Sequence, residues 1–319
     1  MKSRLHNRTA IIFCLLLFFG GCTAVSRSDS QKLVKLQRNI EQFSCRAEGR
    51  VGVAICLLET YETIDIAGDE RFPMQSVYKM PIAMAVLHNV DVGCLHLDEC
   101  IEVGREELAA GSLYSPIRDK FPSGTKLTVR QLIHYAVSES DNVACDILLH
   151  LAGGPQCVTD YLRGLGLDEV MVATTEREMT ANNALQYRNW ATPRGALKML
   201  AVFHAGAGLS PQSHAVLNEA LAGVVTGPRR IKGLLPPGTT VVHKTGTSGT
   251  MAGRTAATND IGIITLPNGK HLAIAVFIND SAADIESRES TIARIARAAY
   301  DFFTQRLKFT TLQATHKGR

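Results

Sequence analysis

Three short stretches of this chain carry residue types that can do chemistry together. Ser76 and Lys79 stand three residues apart in the apolar run FPMQSVYKMP. Residues i and i+3 share a helix face, so the hydroxyl and the amine can touch. Pro81 is tolerated best near a helix start, which keeps Ser76 close to the N-terminal end. There the backbone N–H groups and the helix dipole favour developing negative charge. A serine hydroxyl is a poor nucleophile until a base removes its proton, and a lysine serves when burial and a second cation lower its pKa.

The spacing alone is weak, because an S-x-x-K match arises by chance about once in a chain of this length. Ser123 and Lys126 also match, but Pro122 and Gly124 mark that copy as a surface turn. Two further triplets strengthen the first. Ser140, Asp141 and Asn142 spell SDN in a segment that reads as helical, and Lys244, Thr245 and Gly246 spell KTG at the end of a strand-like run. Each would occur by chance in roughly one chain in ten or fewer. All three in this order make coincidence a poor explanation.

The elements that must position these residues follow from hydrophobic periodicity. RVGVAICLLET and TIDIAGD read as two strands joined by a turn at residues 59–62, after a helix with Leu33, Leu36, Ile40 and Phe43 on one face. Residues 24–31 read as a polar linker. From Ser76 to about Leu221 the pattern is helical, with hardly a convincing strand. Strands return in TVVHKTGT, DIGIITL and HLAIAVFI, the last two joined through Pro267, Asn268 and Gly269, and a long helix with Ile292, Ile295, Ala299 and Phe302 on one face closes the chain. The expected fold is α/β plus all-α: one antiparallel sheet built from both chain ends and flanked by helices, with an inserted helical lobe. The boundaries are 22–75 and 226–319 for the α/β lobe and 76–225 for the helical lobe, with a cleft between them as the default site for chemistry.

Composition narrows the setting. The chain has 319 residues, 45% hydrophobic and 20% charged, as in ordinary globular proteins. Lys2, Arg4 and Arg8 precede an apolar stretch from Ala10 to Phe19, so residues 1–21 read as a secretory signal peptide and the protein as exported. Its end, FFGGC, offers Cys22 as a lipid acceptor that would anchor the protein to a membrane, although Phe19 stands where leucine is usual; ordinary cleavage nearby, as after Ala24, is the alternative. Loss of those three basic residues takes the net charge from +4 to +1, which gives no sign of nucleic-acid binding. Cys45, Cys56, Cys94, Cys100, Cys145 and Cys157 remain, with no pairing selected by sequence and free buried thiols expected for at least two. No CxxC, HExxH or histidine cluster is present in the sequence, so neither a metal nor another cofactor is expected.

The S-x-x-K, SDN and KTG set, together with WATP, VSESDN, GLLPPGT, KTGTSG and AATND, resembles class A serine β-lactamases over residues 31–305, most of all the PER/VEB-type extended-spectrum branch. The resemblance implies a β-lactamase/transpeptidase-like fold, a periplasmic monomer, and hydrolysis of penicillins and cephalosporins, oxyimino-cephalosporins among them. It implies Ser76 as nucleophile with Lys79 in proton transfer, and the backbone N–H groups of Ser76 and Thr247 as the oxyanion hole. Ser140 would protonate the leaving nitrogen. Lys244, Thr245, Gly246, Thr247 and Arg230 would bind the substrate carboxylate, Asn142 the side-chain amide, and Tyr114 would line the cleft mouth. Glu176 would be the base for deacylation, with Glu178 as a rival.

Several family features are missing. Thr180 stands where an asparagine usually helps hold the hydrolytic water, and its hydroxyl is a candidate substitute. Thr174 and Asn189 replace the Arg and Asp that clamp the Ω-loop, and Ala83 and Ile133 replace the common disulfide. A D,D-peptidase shares the three motifs but lacks the deacylating glutamate. A β-lactam sensor needs a transmembrane relay, and the only apolar segment here is the cleavable one.

Overall fold

The computed structural model describes residues 27–109 and 114–316, with side chains from residue 31 to 306. The signal peptide and Cys22 lie outside the described residues. Helix α1 (Arg27–Ser44) leads into strands β1 (Arg50–Leu57) and β2 (Glu62–Ile66). The middle of the chain includes α2 (Lys79–Asp91), α3 (Val129–Val137), α4 (Asn142–Leu151), α5 (Glu176–Ala181) and α6 (Pro193–His204). It returns as β3 (Val241–Thr247), β4 (Thr258–Thr265) and β5 (His271–Asn279), and ends in α7 (Ile285–His316). The five strands form one sheet in the order β2-β1-β5-β4-β3, antiparallel throughout. Both chain ends therefore build the sheet, as the strand pattern predicts.

The central strand is apolar on both faces because both are covered. Leu272, Ile274, Val276 and Ile278 of β5 pack with Leu36 and Ile40 of α1 and with Ile292, Ile295 and Ala299 of α7. Ala273, Ala275 and Phe277 face the other way, toward the helices of the middle segment, and Phe277 stacks on Phe72 with ring centroids 5.8 Å apart. A strand buried on both sides loses polar alternation, which is why HLAIAVFI reads as a continuous apolar run.

Four sequence expectations need correction. The stretch taken as a linker is already helical from Arg27, since a backbone ladder extends beyond the apolar stripe that buries it. In α7 it is Phe303 that is buried, with Phe302 only partly so, since four-residue steps from Ile295 and Ala299 lead to 303. The middle segment does hold strands, all short: Cys100–Val103 pairs with Thr125–Thr128, and Trp190–Ala191 lies between Phe72–Pro73 and Val170–Met171. Runs of two to four residues are too short to show a period of two. The SDN triplet does not lie wholly in a helix, as described below. Ser123, by contrast, sits in the expected surface turn.

Gly246 fixes how closely the sheet approaches the segment carrying Ser76. A Cβ there would meet the Met74 carbonyl oxygen at 2.2 Å, a backbone atom that cannot swing aside. Gly246→Ala is expected to cost about 1–3 kcal/mol by overpacking and to slow acylation of Ser76. Urea unfolding and single-turnover acylation measure the two effects, and an alanine variant with wild-type values for both refutes the tight approach.

Candidate active site

The segment before Ser76 is fastened from two sides. The Asn259 amide of β4 donates to the carbonyls of Pro73 (2.8 Å) and Met74 (3.1 Å), while the Met74 N–H donates to the Asn189 carbonyl at 2.8 Å. Gln75 takes a left-handed φ of 47° and donates to the Gln186 side chain at 2.7 Å. Ser76 lies in the 3-10 turn Gln75–Tyr78 and Lys79 opens α2, so the two do not share one α-helix as the spacing suggests. The tighter turn still puts them together, with the Lys79 N–H donating to the Ser76 carbonyl. Ser76 is half-buried, and Lys79 is only 1% exposed.

The Lys79 ammonium is held by oxygen atoms. Nζ donates to the Ser140 carbonyl at 2.7 Å and to Asn142 Oδ1, and it stands 3.2 Å from Glu176 Oε1. That glutamate is also buried, and Oε1 accepts no hydrogen bond from the described residues. Buried charges are tolerated when paired in this way, and the free lone pairs on Oε1 leave it able to take a proton.

Ser140 stands in the turn before α4 rather than in a helix, with a left-handed φ of 60° that a non-glycine residue adopts only when its surroundings compel it. The neighbour that compels it is Asp141, fully buried, whose carboxylate accepts from the Ala144 N–H, the Ser115 hydroxyl and the Ile117 N–H, each at 2.8 Å. Asp141 is thus the N-cap of α4 and a clamp on the segment after Tyr114. The Tyr114 carbonyl accepts from the Asn142 N–H at 3.0 Å, and its side chain is exposed.

The KTG strand forms the facing wall. Lys244 Nζ, fully buried, donates to Ser140 Oγ and to the Thr245 carbonyl, both at 3.1 Å. Burial, and next the Lys79 charge, push its ammonium well below the usual lysine range. Arg230 is buried and donates to Glu289 Oε1 (3.2 Å), the carbonyls of Gly246 (3.2 Å) and Asn259 (2.9 Å), and Thr247 Oγ1 (2.7 Å). The basic run RRIK therefore sends Arg230 inward to the strand end, while Arg229 stays largely exposed on Glu289. The Thr226 and Thr245 hydroxyls share a hydrogen bond of 2.5 Å beside it.

The Ω-loop is held by groups other than an Arg–Asp clamp. Asn189 Oδ1 accepts from the N–H groups of Ala173 (2.7 Å) and Thr174 (3.0 Å), and its amide donates to the Thr174 carbonyl at 2.9 Å. Glu178 serves a capping box, its Oε2 accepting from Thr174 Oγ1 (2.7 Å) and the Thr175 N–H (2.9 Å). It is exposed, unlike Glu176, and no ion pair joins it to Lys79 among the described residues. Thr180 stands four residues after Glu176 in α5, on the same side of the helix, and is exposed.

Sequence reasoning missed Asp146. Its two carboxylate oxygens accept from the Glu176 N–H (2.8 Å) and the Arg177 N–H (3.0 Å), so it fixes the first turn of α5, where Glu176 stands. The available signal was an acid four residues after Asn142 in the otherwise apolar helix NVACDILLHL. Burial raises the Asp146 carboxyl to about 6, against the opposing pull of the N–H donors. The structure also brings Glu59, His204 and His271 together, which no sequence spacing indicated. All six cysteines among the described residues are free, with Cys56 and Cys145 buried.

A half-buried serine beside a buried lysine, a second serine bridging to another buried lysine, and a buried carboxylate over the first pair define a serine acyl-transfer site of the S-x-x-K, SDN and KTG kind. A model of the Beta-lactamase enzyme family matches residues 35–303. The chain is 43% identical to the extended-spectrum β-lactamase PER-1 of Pseudomonas aeruginosa over 273 residues, spanning 85% of this chain and 88% of that one. It is 39% identical to β-lactamase VEB-1 of the same organism over 295 residues, or 92% and 97% of the two chains. Its structure superposes on that of a β-lactamase from Chitinophaga pinensis with a TM-score of 0.82 at 44% identity, covering 84% of this chain and 98% of the other. For TLA-1 extended-spectrum β-lactamase the score is 0.83 at 39% identity, covering 86% and 99%. The chain belongs to the β-lactamase enzyme family, as a class A serine enzyme of the branch that holds PER-1 and VEB-1.

Asp146 generates a pH prediction. Its folded pKa is raised, so between about pH 4, where the unfolded chain ionises, and about pH 6 stability falls as pH rises. The ionised form, which accepts both N–H groups, holds α5 above about pH 6 and is lost as pH falls through that value. Deacylation in the wild type is therefore expected to decline below about pH 6. Asp146→Asn is expected to lower it roughly ten- to a hundredfold across the range, without that step, because an amide offers one acceptor where two are needed. Pre-steady-state deacylation rates against pH check this, and an unchanged rate and profile in the variant refute the positioning role.

Proposed function

We propose that this enzyme hydrolyses penicillins and cephalosporins, oxyimino-cephalosporins included, through an acyl-enzyme on Ser76. The observation that carries the reading is the buried carboxylate of Glu176 at 3.2 Å from the Lys79 ammonium, since a deacylating base separates a turnover enzyme from a trapped one. In acylation Ser76 Oγ attacks the lactam carbonyl carbon, with Lys79 in the path of the departing proton. The oxyanion forms between the N–H groups of Ser76 and Thr247. As the C–N bond breaks, Ser140 passes its proton to the ring nitrogen and regains the one that left Ser76 by way of Lys79, and Lys244, 3.1 Å from that hydroxyl, makes the transfer easier. The substrate carboxylate is drawn to Lys244, Arg230 and the hydroxyls of Thr245 and Thr247, with Gly246 between them, while Asn142 and Tyr114 meet the side chain. In deacylation Glu176 takes a proton from water, the water oxygen attacks the acyl carbon, and the bond to Ser76 Oγ breaks as that oxygen regains a proton.

The extended-spectrum names of PER-1 and TLA-1 support oxyimino-cephalosporins as substrates. So does an Ω-loop tied by neutral amide bonds at Asn189 in place of an ion pair. We assign the enzyme to the periplasm on its N-terminal basic and apolar segment, with Cys22 as the candidate lipid acceptor, and take it as a monomer on its family resemblance. No helix among the described residues is long and apolar enough to cross a membrane. The lobes 22–75 with 226–319 and 76–225 form the two walls of the cleft in this reading.

Mass spectrometry during turnover of benzylpenicillin and an oxyimino-cephalosporin tests it. Wild type is expected to consume both with no lasting adduct, Ser76→Ala to form none, and Glu176→Gln to accumulate one as deacylation falls about 10²- to 10⁴-fold. A stoichiometric, persistent adduct on the wild type would instead identify a D,D-peptidase or a sensor.

A further inference from the structure

Glu59, His204 and His271 come from three distant parts of the chain and meet at the end of the sheet opposite the catalytic cleft. Glu59 is in the turn between β1 and β2, His204 is the last residue of α6, and His271 is the first of β5. Thr247 is level with Thr258 on β4, whereas His271 is level with Thr265. Seven residues along β4 separate those levels, about 23 Å at 3.3 Å per residue. Nothing in the catalytic reading uses this cluster.

The three side chains are already arranged around a common point. One potential ligand atom from each lies within 4.8 Å of the other two. His271 is oriented twice by Glu59: the His271 N–H donates to Oε1 at 2.9 Å, and Nδ1 lies 2.8 Å from the same oxygen. The imidazoles of His204 and His271 sit with centroids 4.3 Å apart, tilted by 47°. Among the described residues no protein group hydrogen-bonds the His204 ring.

We propose that Glu59, His204 and His271 form a binding site for a borderline transition-metal dication, with zinc the best match. Two neutral imidazoles and one carboxylate are a three-ligand set that zinc accepts, with solvent in the fourth position. Tetrahedral ligands at about 2.1 Å from the metal stand about 3.4 Å from one another, so a set within 4.8 Å must close by up to about 1.4 Å. Side chains at an exposed rim supply that by rotation, since Glu59 and His204 are exposed and His271 half-buried. A magnesium or calcium ion, which demands more oxygen ligands, does not suit the set. Bound metal would join the β1–β2 turn, the C-terminal end of α6 and the start of β5, stabilising the folded chain by mass action.

The test uses the whole protein, stripped with chelator and titrated with zinc in competition with a chromophoric chelator. Wild type is expected to bind one zinc ion per chain and to melt at a higher temperature in its presence. His204→Ala and Glu59→Gln are expected to weaken binding by roughly tenfold or more and to lose the melting shift, while His96→Ala, at an exposed histidine outside the cluster, keeps both. Circular dichroism establishes that each variant folds. No uptake by the wild type at about 100 μM zinc, or uptake that His204→Ala and Glu59→Gln leave unchanged, would overturn the site.

Discussion

Three cations, Lys79, Lys244 and Arg230, share one desolvated space in this protein. Buried charge is costly unless each cation finds hydrogen-bond acceptors, and like charges side by side raise the cost further. The structure answers with oxygen atoms delivered from every side: Glu176, the Ser140 carbonyl and Asn142 for Lys79; Ser140 Oγ and the Thr245 carbonyl for Lys244; Glu289, two carbonyls and Thr247 for Arg230. Burial, and next the Lys79 charge, hold the Lys244 ammonium below the usual lysine range. These donors, fixed before any ligand arrives, are what an anionic substrate meets, and they require no reorganisation when negative charge develops.

The demand for acceptors explains the local backbone. A Ser140 in ordinary helical conformation would bond its carbonyl to its own helix, but at φ 60° that carbonyl is free to accept from Lys79 while the hydroxyl meets Lys244. One strained residue thereby serves both lysines. Its strain is borne by Asp141, whose carboxylate is occupied by three donors and cannot shift without exposing them. On the opposite wall, Gly246 lets the KTG strand approach the Met74 carbonyl with no side chain between. The catalytic space is narrow because a missing Cβ and a left-handed serine allow it to be.

Much of this was legible in sequence because it rests on periodicity and local spacing. The apolar runs of β1, β4 and β5 and the turn at residues 267–269 mark the sheet directly. Ser76 with Lys79, and the SDN and KTG triplets, are local patterns whose members stay neighbours in the fold. Asp146 could not be read in the same way, since an acid on a helix is usually solvated and its partners are backbone groups thirty residues downstream. Nor could Glu59, His204 and His271, separated by more than two hundred residues end to end and joined only by sheet register and the end of α6. Phe302 and Phe303 differ by one position, and only packing against the sheet decides which is buried.

The loop carrying Glu176 shows how one residue's geometry can be delegated. Where the Arg–Asp clamp is absent, Asn189 ties the loop to itself through neutral bonds at Ala173 and Thr174, which fixes its shape but not its distance from Lys79. That distance is set by Asp146, which joins the first turn of α5 to α4. Helix α4 also begins with Asn142, whose side chain accepts from Lys79. Asp146, which holds the N–H of Glu176, and Asn142, one acceptor of the buried lysine, are therefore both carried by α4, four residues apart on one face, so any shift of that helix moves them together. The position of Glu176 is controlled from a helix beneath the loop, while the later part of the loop is tied elsewhere, Gln186 to Gln75 and Tyr187 to Asp280.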